Sequence, residues 1–343
     1  MLHMHRNNKR DYYNLFDYET GITIRWGKDE EQPFWKEEGP ELLDISITNY
    51  CERECDFCYR KADQAGSFMN RRFFEEILQQ ADNIGVQQIA LGGGNPNQHP
   101  EFVEFLQMAR KHHIVASYTT NGQGMSDDIY IATKRYGGAV AVSWYEPHIY
   151  AKNVIEECAK YHIPVNIHFV LNKESLKNAI ELLHSNVITW DIVNAIVFLN
   201  YKPLGSKIYE GLCDNQELDM FFKSVLAFDK CKIGFDSCMI SWLMKYKEWI
   251  ADESIDFCEA GRFSAFIKED GWMFPCSFLS YDRKYGEDLK KRNMEDIWHN
   301  GEAFIEMRQS LFKVERQSVR ECKKCDSYQI CHGGCPKFNI NRC

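Results

Sequence analysis

"LLDISITNYCERECDFCYRK", Leu42 to Lys61, runs from an apolar segment straight into a polar loop that holds Cys51, Cys55 and Cys58. The first part is short, apolar and rich in β-branched residues, which predicts a strand. The second part spaces its thiols as C-x3-C-x2-C, so one short loop can wrap them around a single inorganic centre. Structural zinc takes four ligands in a closed tetrahedron, whereas three thiolates on a four-iron cluster leave one iron open to a small molecule. On residues alone three readings stay open: a zinc site with a distant fourth ligand, an iron–sulfur cluster, or reduced cysteines that pack.

Outward from this stretch, short apolar runs alternate with segments of helical period. "RRFFEEILQQA", "VQQIALGGG", "EFVEFLQMARKH", "IVASYTTNG", "GAVAVSW", "VIEECAKYH", "PVNIHFVLN", "SLKNAIELLH" and "IVNAIVFLN" follow in order, giving about six β/α units that end near Asn200. Such alternation predicts an α/β fold with a parallel sheet, open or curved into a barrel. In barrels of this kind sites form at the C-terminal ends of the strands, where the cysteine loop lies.

Residues 1–41 are aromatic and charged, with a hairpin expected around Gly21 to Trp26 and a solvated run, "KDEEQPFWKEEGPE". They predict an N-terminal cap or edge ribbon. Residues 42–235 hold the β/α units. After "YKPLGSK" the rhythm changes: a helix around Gln216 to Phe228, then dense cysteines among aromatics and turn residues. Residues 236–343 therefore predict a small fold held by metal rather than by a large apolar core.

The chain has 343 residues, a formal charge of -9 and 14 cysteines. That charge argues against nucleic acid and anionic membrane as partners, since both call for clustered Lys and Arg. No export signal and no apolar stretch of spanning length stand in the sequence, so a cytoplasmic protein is expected. The cytosol keeps thiols reduced, and so many cysteines there point to metal or redox chemistry rather than to disulfides.

The C-terminal cysteines are ordered. Cys258 is followed by Gly271 and, after four further residues, Cys276; then Cys322, Cys325, Cys331 and Cys335 form C-x2-C-x5-C-x3-C before a final Cys343. Paired C-x2-C motifs also bind zinc. Cys158, Cys213 and Cys231 lie in helix- or strand-like contexts and are most simply packing residues.

The Cys51, Cys55, Cys58 spacing, Phe57 before the last thiol, and the strand-end position together resemble the radical S-adenosylmethionine (SAM) superfamily. The order from Cys258 to Cys343 resembles the SPASM extension carried by one branch of it. The resemblance implies a partial (β/α)6 TIM-like barrel with a small cysteine-rich iron–sulfur domain. It implies three [4Fe-4S] clusters: a SAM-chelating one on Cys51, Cys55 and Cys58, an auxiliary one on Cys258, Cys276 and Cys335, and a distal one on Cys322, Cys325, Cys331 and Cys343. The auxiliary set is one ligand short; an open iron or Cys238, in "GFDSCMI", resolves the count. "LGGGNP" occupies the turn that contacts the SAM amino group, with Gly92, Gly93, Gly94 and Asn95 as its residues. Thr120, Asn121 and Ser143 fall where the family contacts the ribose and carboxylate. His168 is expected to line the barrel mouth or to sit hydrogen-bonded in the core, and Tyr118, Trp144, Tyr145 and Glu146 face either the pocket or the core and surface.

The activity implied is reductive cleavage of SAM to a 5′-deoxyadenosyl radical that abstracts hydrogen from a peptide or protein. A ribosomally made precursor peptide, oxidised or crosslinked at a side chain, is the first choice. An external donor such as flavodoxin or ferredoxin supplies electrons. The short N-terminal segment leaves no room for a fused leader-binding domain, so a separate recognition protein or direct binding is expected. Three alternatives are kept: a peptide epimerase using Cys238 as hydrogen-atom donor, a radical dehydrogenase of a small alcohol or sugar, and a non-catalytic iron–sulfur electron carrier or redox sensor.

Overall fold

Three antiparallel strands open the chain: β1 (Leu2–Asn7), β2 (Tyr12–Asp17) and β3 (Thr23–Gly27), with β2 paired to both neighbours. The computed structural model describes residues 2–7, 12–27, 34–250, 254–312 and 322–340. The expected hairpin is β2–β3, turned at Gly21, whose φ of 73° suits the left-handed region only a glycine enters freely.

This small sheet is pinned by a buried polar knot. The Tyr12 hydroxyl and the Asn14 amide (2.9 Å) donate to Glu41, and Gln87 donates to Asn14 at 2.6 Å. Arg25 lies 3.3 Å from Glu41, 2.8 Å from Asp256 and 2.6 Å from Glu259. Burial raises the Glu41 pKa and Arg25 opposes that rise. Glu41→Gln, which weakens several contacts of one buried acceptor, is expected to cost about 2 kcal/mol. Glu259→Gln, at the more open end, should cost well under that. Melting curves of the two holoproteins test the difference.

Six parallel strands follow: β4 (Leu42–Thr48), β5 (Gln88–Gly93), β6 (Val115–Thr120), β7 (Gly137–Ser143), β8 (Val165–Leu171) and β9 (Ala195–Asn200). Each was legible as an apolar run. Between them lie α1 (Arg71–Asn83), α2 (Phe102–Lys111), α3 (Asp127–Tyr136), α4 (Ile149–Lys160) and α5 (Leu176–His184), and α6 (Gln216–Leu226) comes after β9. In α1 the Asn70 side chain caps the first turn, and Phe74, Ile77, Leu78 and Ala81 repeat at helical spacing to bury one face.

Alternate strand residues point to opposite faces. One row, including Ile45, Leu91, Tyr118, Val142, Ile167 and Phe198, packs in the main apolar core. The other row, facing the barrel interior, holds Asp44 and Ser46 on β4, Ser117 on β6, Ser143 on β7 and His168 on β8. Short and polar residues there differ from the bulky branched side chains that fill a closed barrel.

The sheet continues past the six units. β10 (Lys232–Phe235) pairs parallel to β9 on one side. On the other, β11 (Ser264–Ile267) pairs parallel to β4, and β12 (Trp272–Phe274) and β13 (Glu287–Asp288) follow antiparallel. The expected boundary at 235/236 thus falls at the end of β10, yet the C-terminal segment returns to share the barrel's sheet. It also shares the core, through Ala265, Ile267, Met273, Met294, Ile297 and Trp298. Four helices complete it: α7 (Ile240–Leu243), α8 (Met294–Asn300), α9 (Glu302–Phe312) and α10 (Tyr328–Cys331). A second, smaller apolar cluster joins Ile240, Phe257, Ala260, Leu279, Met307, Leu311 and Cys331. No helix among the described residues is long and apolar enough to cross a membrane.

Candidate cluster and cofactor site

β4 ends at Thr48 and delivers the chain to Cys51. The loop that follows is held by its backbone: Cys51 N–H donates to Asp63 (2.9 Å), Cys58 to Cys55 (3.0 Å) and Lys61 to Cys58 (3.1 Å). Glu54 and Lys61 take φ of 51° and 49°, the left-handed turns that curl the loop on itself. All three thiols are half-buried and unpaired. Burial raises the Cys55 pKa, Arg53 opposes it, and Cys58 and Cys51 add to it, so the three share one field.

The segment after β9 closes over this loop. Lys207 N–H (3.0 Å) and the Ser206 hydroxyl (3.1 Å) donate to the Asp56 carbonyl, and the Tyr209 hydroxyl to its carboxylate (2.7 Å). Gly205 lies so near that an added Cβ would stand 2.3 Å from the Asp56 oxygen. Tyr145 meets Phe57 edge-on at 5.0 Å, and Arg53 donates to the Glu146 carbonyl.

The glycine turn after β5 fits against the same loop. Gly94 N–H donates to Thr48 (2.7 Å) and Asn95 N–H to Tyr50 (2.9 Å). A Cβ on Gly93, at φ 113°, would stand 2.1 Å from the Thr48 oxygen, and one on Gly94 2.0 Å from that of Tyr50. These two glycines answer to the backbone of the cysteine loop. Gly92 differs, since a Cβ there meets nothing within 4 Å.

Asn95 is buried and its side chain is engaged within the protein. Its amide donates to the Gln123 carbonyl (2.9 Å), and its Oδ1 lies 3.1 Å from both the Thr120 hydroxyl and the Asn121 N–H. The Thr120 hydroxyl lies 2.6 Å from Asn97 Oδ1. Asn121 Nδ2 reaches the Cys51 Sγ at 3.5 Å. Asn95, Thr120 and Asn121 thus form one hydrogen-bonded brace ending on the Cys51 thiol, a connection their sequence separation hides. Ser143 stands opposite His168 in the strand register and bonds to the Tyr145 side chain.

Other sequence expectations resolve as follows. Tyr118 packs outward, its hydroxyl 2.9 Å from that of Thr133 on α3. Trp144 stacks on His148, and Glu146 is exposed. Cys158 is buried in the core beneath α4. His168 faces the interior, where burial lowers its pKa to about 4 and keeps it neutral.

The interior also holds charged groups that no motif announced. Burial, with help from Glu259, raises the Asp44 pKa to about 7. Arg60 and Glu269 form a buried ion pair at 2.7 Å, and the Ser46 hydroxyl donates to the same carboxylate at 2.7 Å. Tyr59 is pushed up to about 12 by burial, against Arg60 and a bond to Ser277.

In the C-terminal segment burial pushes Cys276 up to about 12 and raises Cys258 and Cys238. Cys276 and Cys335 add to the rise at Cys258, Cys335 to that at Cys276, and Cys335 and Cys258 to that at Cys238. Buried thiols so gathered become thiolates only when a cation supplies compensating charge. Cys322 and Cys325 flank one turn, closed by Cys325 N–H to the Cys322 carbonyl at 3.3 Å; Cys331 ends α10 and Cys343 lies outside the described residues. The donor set, thiols free of disulfides with backbone turns around them, suits the thiolate ligation of iron–sulfur clusters.

The structure thus joins a largely parallel sheet whose strand β4 leads into three thiols with a second set of thiols in the C-terminal segment. Residues 45–149 match the model of the Radical SAM superfamily and residues 258–326 that of SPASM, an iron-sulfur cluster-binding domain. The chain belongs to the radical SAM superfamily and carries a SPASM extension. Cys331, Cys335 and Cys343 lie past the matched segment.

Among curated proteins it is similar to mycofactocin maturase MftC of Mycobacterium tuberculosis, 22% identical over 317 residues, 87% of this chain and 78% of the relative. PqqA peptide cyclase of Xanthomonas euvesicatoria is 22% identical over 312 residues, 85% of this chain and 81% of the relative. Among solved structures, Streptococcus suis SuiB bound to precursor peptide SuiA superposes with a TM-score of 0.70 at 19% identity, covering 89% of this chain and 76% of that one. The fold is therefore the partial TIM barrel of those structures.

Proposed function

We propose that this chain cleaves SAM reductively and modifies a peptide or protein, a ribosomally made precursor peptide being the substrate the relatives' names favour, by oxidation or side-chain crosslinking. The observation that carries the reading is the placement of Cys51, Cys55 and Cys58 together in the loop that β4 leads into, against the glycine turn after β5. When bound, the cluster and SAM supply a radical able to take hydrogen from carbon.

In this reading Cys51, Cys55 and Cys58 hold the SAM cluster, and Asn121 fixes the orientation of Cys51 through its amide. Gly92, Thr120, Asn121 and Ser143 line the SAM side, with Gly93, Gly94 and Asn95 keeping the turn in register with the loop. The Gly205–Tyr209 segment holds the cysteine loop in place through Asp56. Three clusters are expected in all, the outer two on the C-terminal thiols. An external donor such as flavodoxin or ferredoxin supplies electrons, the peptide binds directly or through a separate recognition protein, and the cytoplasm is the compartment that keeps such thiols reduced.

The test is anaerobic: reconstituted protein, SAM, dithionite, and short peptides encoded beside the gene. The expected result is 5′-deoxyadenosine and a peptide lighter by two hydrogens. A peptide of conserved mass carrying solvent deuterium means epimerisation instead. Full iron loading with no SAM cleavage would sink the reading in favour of an electron carrier.

A further inference from the structure

β10 ends at Phe235, and the next residues make one tight turn, Ser237–Met239, that carries Cys238. The turn is tied to the end of β9. Asp236 N–H donates to the Phe198 carbonyl (3.0 Å), Asn200 N–H donates to Asp236 Oδ1 (3.1 Å), and the Asn200 amide donates to the Cys238 carbonyl (3.0 Å).

Beside it lies Lys202, whose side chain is 1% exposed. Its ammonium is 2.8 Å from Asp236 Oδ2 and 2.6 Å from the Asn200 carbonyl, and it donates to the Cys238 sulfur. It also stands 4.3 Å from the centre of the Phe278 ring, two residues beyond Cys276. A buried cation thus bridges the segments that bring in Cys238 and Cys276; Ile240, two residues past Cys238, packs in one apolar cluster with Cys258 and Cys276, and Phe338, whose N–H donates to the Cys335 sulfur at 3.4 Å, meets the same Phe278 ring at 6.4 Å. The half-buried Cys238, Cys258, Cys276 and Cys335, from four distant points of the sequence, are thus tied by these contacts to the neighbourhood of one ammonium.

We propose that Cys238 is the fourth protein ligand of the auxiliary cluster on Cys258, Cys276 and Cys335, and that Lys202, clamped by Asp236, is the positioning residue that holds its sulfur there. The inference rests on the iron–sulfur reading above. It supplies the ligand that the C-terminal spacing lacks, and from the barrel side of the chain. Two consequences follow. The auxiliary cluster has no open iron for a substrate thiol, and Cys238 is not available as a hydrogen-atom donor. A positive charge beside the ligand sulfur favours the more negative, reduced cluster, since net charge and hydrogen bonds to sulfur set such potentials.

Cys238→Ala, Cys238→Ser and Lys202→Met, each iron-loaded without oxygen, test this against the unsubstituted protein. In the unsubstituted protein, added cyanide should leave the reduced auxiliary EPR signal unchanged, and iodoacetamide should not label Cys238. Cys238→Ala should either lose about four irons or gain a cyanide-sensitive signal, and Cys238→Ser should keep its iron with an altered signal. Lys202→Met should keep its iron and shift the auxiliary potential downward in a redox titration. Identical spectra for all the proteins, or ready labelling of Cys238 in the loaded protein, would overturn the assignment. SAM cleavage is read separately from the Cys51, Cys55, Cys58 site. Its loss in the unsubstituted protein overturns the proposed function while the spectra still decide the ligand.

Discussion

Replacing Cys51, Cys55 and Cys58 together with alanine should remove about four of roughly twelve irons per chain and bring 5′-deoxyadenosine formation to background. The remaining thiols cannot substitute. Cys238, Cys258, Cys276 and Cys335 are proposed to serve a separate cluster, and Cys322, Cys325 and Cys331 lie on the C-terminal turns around α10. The fold should survive, because the loop thiols are half-buried while the apolar core is built from strand and helix residues beneath them. Iron and acid-labile sulfide, with far-ultraviolet circular dichroism as the control, decide the matter. Unchanged iron with continued SAM cleavage would remove these thiols from the mechanism. Zinc in place of iron in the parent protein would remove the mechanism itself.

The second large effect belongs to Gly93. Alanine there must adopt φ 113° and place its Cβ 2.1 Å from the Thr48 oxygen and 2.3 Å from the Ser46 hydroxyl. The strained backbone alone costs about 1–3 kcal/mol, and the overlap can be relieved only by moving the strand end that leads to Cys51. Gly93→Ala should therefore lose about 3 kcal/mol or more of stability and incorporate iron poorly. Gly92→Ala is the informative companion, since its Cβ touches nothing of the protein. It should melt close to the parent and show its defect as a raised KM for SAM. Equal melting of both variants would mean that the turn tolerates a side chain and that its glycines serve another purpose.

Gly93 and Gly94 show where sequence reading stops. Three in a row after a strand announce a close approach, but not to what. The partner proves to be the carbonyls of Thr48 and Tyr50, brought there by strand pairing some forty residues away in the chain. The six barrel strands were legible because each is an apolar run long enough to show its character, and the intervening helices because four of them carry clear periodicity. α3 was not, since its opening Asp127 and Asp128 make it look like a loop. β10 to β13, at two to four residues each, are too short for any pattern to register. The cluster thiols stood out by spacing alone. Arg60 with Glu269, and Lys202 with Asp236, did not, because an ion pair joining two distant loops leaves no periodic or motif signature.

The two margins of the large sheet carry a mechanical meaning. A closed eight-stranded barrel knits its last strand to its first with backbone hydrogen bonds. Here the sheet ends at β10 on one margin and β13 on the other, with no ladder between them among the described residues. Cys238 hangs from the first margin, just after β10, and Cys276 from the second, just after β12. A cluster gripped by both would act as a rivet across the seam, doing with metal–sulfur bonds what the missing strands do with amides. Iron content would then set the stiffness of the barrel's opening, and the unloaded chain would be a looser vessel as well as an inert one.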